Sequence, residues 1–124
     1  MRVLLIVLGL ALWGVSTGAQ DSGDLFKQGQ IVFEENCADC HRRNGKGLPG
    51  TFPAHDGNPF VVGPPGPVIA TVLNGRKGNL GHMPSWKDKL DDQQIAAVVT
   101  YIRQAWSNRA PAVTPAMVAA TRTK

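Results

Sequence analysis

Cysteine occurs only twice in the 124 residues, at positions 37 and 40. Two thiols cannot build a disulfide framework, and a bridge between them would close a very small loop and stabilise little. Aromatic residues make up 6% of the chain and no long basic run appears, so a nucleic-acid surface is a weak reading of the formal net charge of +4. Apolar sequence is scarce in long runs. The stretch Val3 to Val15, broken only by Gly9 and Gly14, falls short of the ~20 residues a bilayer-spanning helix needs. Strands alternating with helices are missing as a pattern, which disfavours a thioredoxin-like setting for the two cysteines. There is no internal repeat and no low-complexity tract.

What is present is concentrated in five residues, Cys37-Ala38-Asp39-Cys40-His41. Two thiols three positions apart with a histidine immediately following form an attachment site for haem c. The thiols add to the two vinyl groups of one porphyrin, and His41 is then placed to bind iron from one face. A structural zinc site needs about four ligands, and only His55 and His82 are left to complete one. The expected cofactor is therefore one covalent haem with its iron.

Residues 1–19 read as a signal peptide: Arg2 supplies a positive start, Val3 to Val15 an apolar segment, and Thr17-Gly18-Ala19 a small-residue cleavage site. An uncleaved anchor is the alternative. Residues 20–124 then form one monohaem domain with a short C-terminal tail, small enough for a covalent cofactor to fill much of its core. Export to the periplasm agrees with the motif, because this linkage is made outside the bacterial cytoplasm.

Leu25 to Asn36 is proline-free and compatible with a helix. Gly29, Phe33 and Cys37 fall along one face, so Gly29 suits a close helix crossing beside Phe33. From Arg42 to Pro67 six glycines and six prolines predict loop throughout. So long a loop needs something to organise it, and a haem edge would serve. Pro67 opens a short helix through Leu73, with Gly75 as its stop, and Arg76 to Lys89 reads as a second loop. Asp91 with Gln94 three residues on marks a capping box. Ile95, Val98, Val99, Ile102 and Trp106 then give an apolar stripe over a helix from Asp92 to Trp106. Thr114 is placed to cap a short terminal turn.

The sixth iron position calls for a second ligand or stays open. Beyond the leader the methionines are Met83 and Met117. Met117 lies in an alanine-rich tail after two prolines and reads as a packing residue. Met83 sits in Gly81-His82-Met83-Pro84-Ser85-Trp86, where Pro84 favours an extended backbone from which a thioether can reach inward. Met83 is the candidate sixth ligand and His82 its rival, a core-filling role for Met83 being the other reading.

The chain resembles the class I cytochromes c, small monohaem bacterial cytochromes similar to those serving oxidases or alcohol-dehydrogenase complexes. The resemblance is carried by Gly29, Phe33 and the Cys37–His41 motif, by Met83-Pro84-x-Trp86, and by Val98, Tyr101 and Ile102. Asn44-Gly45-Lys46-Gly47 with Phe52-Pro53, Val72 to Gly75, and Thr100 to Arg103 through Trp106 extend it. It implies an all-α fold with crossing N- and C-terminal helices and loops wrapping the haem. It also implies that a proline carbonyl accepts the His41 ring N–H, Pro53 being the candidate and Pro49 the alternative, and that Trp86 packs at the haem edge, where its N–H reaches a propionate, plain core packing being the other reading of Trp86. His55 stands where such chains usually carry a leucine against the porphyrin; an ordinary exposed loop histidine is expected there, the alternatives being polarity or solvent brought near the haem, or a shifted loop.

The implied function is one-electron transport by a carrier that is not an enzyme. A haem enzyme with a displaceable sixth ligand (peroxidase-like or sulfur-oxidising) and a fixed relay subunit of a membrane dehydrogenase or oxidase complex are the alternatives. Arg42, Arg43, Lys46, Arg76, Lys77, Lys87 and Lys89 flank the two ligand segments. A positive ring of this kind would steer redox partner proteins with acidic docking surfaces. Arg122, in the tail, is expected to stand apart from it.

Overall fold

A computed structural model describes residues 21–124, and the expected leader over residues 1–19 lies outside them. Helix α1 spans Ser22–Asn36 and begins three residues before the expected start, because the Asp21 carboxylate caps it by accepting from the Gly23 N–H at 3.2 Å. Helix α2, Ala38–His41, is a single turn holding most of the haem motif. Within the segment expected to be loop throughout, Pro59–Val62 forms a short helix, α3. The Asn58 side chain accepts from the Phe60 N–H at 2.9 Å and Pro59 occupies the first turn, where its missing N–H costs nothing. Helix α4 runs Pro65–Asn74, opening two residues earlier than Pro67, and stops at Gly75 (φ 74°).

The second expected loop also contains order. Strands β1, Arg76–Lys77, and β2, His82–Met83, pair antiparallel with Arg76 opposite Met83 and Lys77 opposite His82. Apart from an isolated bridge between Leu48 and Phe52, this hairpin is the only β-structure among the described residues, so the chain is mainly helical. Helix α5, Asp92–Gln104, carries the full capping box: Asp91 accepts from the Gln94 N–H at 2.8 Å, and the Gln94 side chain accepts from the Asp91 N–H at 3.0 Å. It ends two residues short of Trp106, which adopts left-handed backbone (φ 56°). The expected terminal turn is a longer helix, α6, Pro115–Arg122, capped by Thr114.

The core is built where α1 meets α5. A Cβ on Gly29 would stand 1.9 Å from the Ala97 carbonyl oxygen, so only glycine allows this approach. Phe33 is fully buried one turn on, with its ring centroid 5.3 Å from that of Tyr101 and 5.5 Å from that of Trp106. Ile69 and Leu73 of α4, Ile95 and Val99 of α5, and Val118 of α6 complete the interior. Met117 packs against this core from α6. Among the described residues no helix is long and apolar enough to cross a membrane.

Candidate functional site

Cys37 caps α2, and the N–H groups of Cys40 and His41 both donate to its carbonyl, at 3.2 and 2.9 Å. This single turn puts Cys37, Cys40 and His41 at i, i+3 and i+4, on one side of the backbone. Both cysteines are free thiols, Cys37 half-buried and Cys40 exposed. Burial, with Cys40 adding to it, pushes the Cys37 thiol up to about 12, so it is held protonated. His41 is buried, and its Nδ1–H donates to the Pro53 carbonyl at 2.9 Å. That bond occupies one ring nitrogen and leaves Nε2 as the free lone pair. Burial lowers the His41 pKa, the Pro53 bond opposing it, so the neutral ring is favoured.

The loop after the motif is folded back to reach this position. His55 and Asp56 donate their N–H groups to the Gly45 carbonyl at 2.7 and 3.0 Å. Asn108, buried, receives the Gly57 N–H at 2.9 Å and donates to the carbonyls of His55 and Ile102 at 2.9 and 2.8 Å. These bonds turn His55 inward, contrary to the expected exposed loop histidine. Its ring stacks on that of His41, centroids 4.0 Å apart and planes 22° apart, and meets Phe33 edge-on at 5.9 Å. Its Nδ1 is buried without a partner. Burial, and after it the neighbouring His41, pushes its pKa down to about 3. Trp106 closes the same wall: its indole N–H donates to the Arg43 carbonyl at 3.0 Å.

Met83 lies in the hairpin that follows the C-terminal end of α4. Gly75 must be glycine, since its φ is 74° and a Cβ there would lie 2.4 Å from the Met83 carbonyl oxygen. The Ser85 hydroxyl donates to the Leu73 carbonyl at 2.6 Å, and the Trp86 N–H donates to the Val72 carbonyl at 3.1 Å. Neighbouring strand residues point to opposite faces. Met83 is half-buried and packs against the core, whereas His82 is exposed. Trp86 also packs on the core, with the Lys89 ammonium 5.3 Å from its ring centre. Among the described residues no cluster of three or more His, Cys, Asp or Glu is arranged to hold a metal ion.

Sequence reasoning missed Asn108 and Arg103. Arg103 is buried, and its guanidinium donates to the carbonyls of Pro111, Val61 and Gly63 at 3.1, 2.8 and 2.6 Å. It lies one turn after Val99, on the flank of the apolar stripe, where a charged side chain ordinarily reads as reaching for solvent, so periodicity gave no signal for its burial. Asn108 follows the helix end in a stretch with no pattern at all.

These donors suit a covalent haem: two free thiols and a neutral imidazole on one turn, and a thioether on the inward face of a hairpin. Residues 24–102 match the family model described as cytochrome c oxidase, cbb3-type, subunit III. The chain belongs to this cytochrome c family, and its cofactor is covalently bound haem c with its iron. It is 32% identical over 106 residues to the cytochrome c subunit of a quinone alcohol dehydrogenase from Gluconobacter oxydans, covering 79% of this chain and 22% of that subunit. It is 34% identical over 82 residues to the cbb3-type cytochrome c oxidase subunit CcoP of Azospirillum brasilense, covering 61% and 27%. It is 31% identical over 111 residues to cytochrome c-552 of Thermus thermophilus, covering 80% and 69%. The chain thus spans about a fifth of the length of the dehydrogenase subunits it matches. At the level of this domain, the kinship is with cytochrome c subunits and with a cytochrome c.

Proposed function

We propose that the protein is an exported, periplasmic one-electron carrier with the class I cytochrome c arrangement, its iron held between His41 and Met83 and its haem joined to Cys37 and Cys40. The observation that carries this reading is the 2.9 Å bond from His41 Nδ1 to the Pro53 carbonyl, on the same turn as both thiols. The close approach of α1 and α5 at Gly29 supports the crossing-helix arrangement. Haem c supplies a one-electron ferric–ferrous couple. The Pro53 carbonyl fixes the rotation of the imidazole and raises its basicity. His55 covers the imidazole, with Phe33 and Trp106 packed behind it, and this keeps water from that side. The Met83 thioether favours the reduced state more than an imidazole would and raises the potential. A ligand pair that stays the same in both states keeps reorganisation small, and a filled sixth position disfavours chemistry at the iron. Trp86, beside the Met83 segment, is assigned to the haem edge.

Arg42, Arg43, Lys46, Arg76, Lys77, Lys87 and Lys89 are all exposed, which supports brief electrostatic docking on an oxidase or dehydrogenase. A second reading, a fixed relay in a membrane complex, is favoured by relatives that are subunits of dehydrogenases and oxidases. Purification at high salt separates the two: a carrier leaves alone, a subunit with its complex. The covalent site is tested by intact mass after acid extraction. One haem should stay on the polypeptide, and the Cys37→Ala, Cys40→Ala double variant should lose it. Release of all haem by acid from the unmutated protein would refute the assignment.

A further inference from the structure

Arg122 lies in the tail, beyond the residues matched to the family, and the sequence alone suggests a bystander. The structure places it differently. Its Nε donates to Asp92 Oδ1 at 2.8 Å, one Nη to the Lys87 carbonyl at 2.6 Å and the other to the Leu90 carbonyl at 3.2 Å. The turn from Lys87 to Leu90 comes directly after Met83-Pro84-Ser85-Trp86. Its far side is also bound: the Lys87 N–H donates to the Leu73 carbonyl of α4 at 3.2 Å. Lys87 is therefore strung between two helices, its N–H on α4 and its carbonyl on α6. Helix α6 is fixed in turn by Val118, which is fully buried.

The exposed ion pair adds little by itself, its two side chains being 30% and 35% exposed. The geometry is what matters. A planar guanidinium satisfies three oxygens in fixed directions, which a lysine ammonium cannot reproduce. The hairpin tip, Gly78 to Gly81, is exposed and held by one backbone bond, from the Gly78 N–H to the Gly81 carbonyl. Met83 itself is held by its pairing with Arg76 and by the Ser85 and Trp86 bonds to α4, and the Lys87–Leu90 turn anchors the C-terminal end of that segment.

We propose that Arg122 is a positioning residue for the sixth ligand: it clamps the Lys87–Leu90 turn and so slows departure of the Met83 thioether from the iron. The inference rests on the assignment of Met83 above.

The test uses the haem-bearing protein in its ferric state. Imidazole is added at saturating concentration, where the limiting rate of its binding reports release of the thioether, followed through loss of the sulfur-to-iron charge-transfer band. Arg122→Ala should raise that rate about tenfold, equivalent to ~1.4 kcal/mol, and Arg122→Lys should recover only part of the difference. Leu25→Ala, in the core of α1, serves as a control of matched stability. It should lower the denaturant midpoint and leave the limiting rate unchanged. Should Arg122→Ala fail to fold, Asp92→Asn, which weakens one of the three contacts, should give a smaller rise in the same direction. An unchanged rate in the Arg122 variants, or an equal rise in Leu25→Ala, would overturn the clamp. A band missing from the unmutated protein would instead overturn the Met83 assignment beneath it.

Discussion

At the residue scale, the wall beside His41 contains a histidine, His55, whose ring stacks on it and whose buried Nδ1 has no partner. The cysteines and His41 carry a sequence sign in their spacing, and Met83 is singled out as a candidate by its proline and by the scarcity of other thioethers. His55 carries no such sign. Its inward position depends on Asn108, more than fifty residues away, holding its carbonyl. A buried polar atom without a partner costs on the order of 1–3 kcal/mol, so His55→Leu should raise the denaturant midpoint of the haem-bearing protein. A lower midpoint would mean that the His55 nitrogen has a partner in that state. Asp56 gives a pH signature nearby. The Ser107 hydroxyl, then the Ser107 N–H, hold its carboxyl below the usual carboxylate range. A carboxyl lowered in the folded state stabilises above its unfolded pKa, and the benefit is lost as pH falls through the folded value. The stability gap between the unmutated protein and Asp56→Asn should therefore narrow on acidification through that range. A gap independent of pH would contradict the assignment.

At the scale of elements, the helices with strong caps or stripes could be read directly. Asp91 and Gln94 mark the start of α5, and Gly75 marks the end of α4. Helix α3 was hidden because glycine and proline surround it, and its start depends on a single asparagine cap. The β1–β2 hairpin was hidden because two-residue strands have no periodicity; the close approach of Gly75 to Met83 sets where they pair. The end of α5 was misplaced because Trp106 fits the apolar stripe, while the left-handed turn there sends its indole to the loop at Arg43. The α1–α5 approach was foreseeable from Gly29, and it gives the sharpest prediction at this scale. Gly29→Ala should destabilise by at least ~2 kcal/mol, since the Ala97 backbone cannot yield as a side chain could. Thermal unfolding measures it, and an unchanged midpoint would contradict the packing described.

At the scale of the whole molecule, seven exposed cations flank the haem motif and the Met83 segment. Screening acts over ~8 Å at physiological ionic strength, so added salt should slow bimolecular electron transfer to an acidic partner. Charge reversal at Lys46 or Lys77 should slow it as well, through association and with little change in potential. Lys27, exposed on α1, is a suitable control and should matter less; Arg122 is not, because it is tied into the Lys87–Leu90 turn. A rate flat across salt would favour an apolar contact or a fixed subunit. The central claim is the pair of iron ligands, since both the electron-carrier role and the potential follow from it. The most direct test is the near-infrared spectrum of the ferric protein, compared with those of Met83→Ala, His82→Ala and Met117→Ala. The sulfur-to-iron band should be present, disappear only in Met83→Ala, and be lost together with a fall in potential and opening of the iron to cyanide. Loss of low-spin character in His82→Ala with the Met83 variant unaffected would contradict the account.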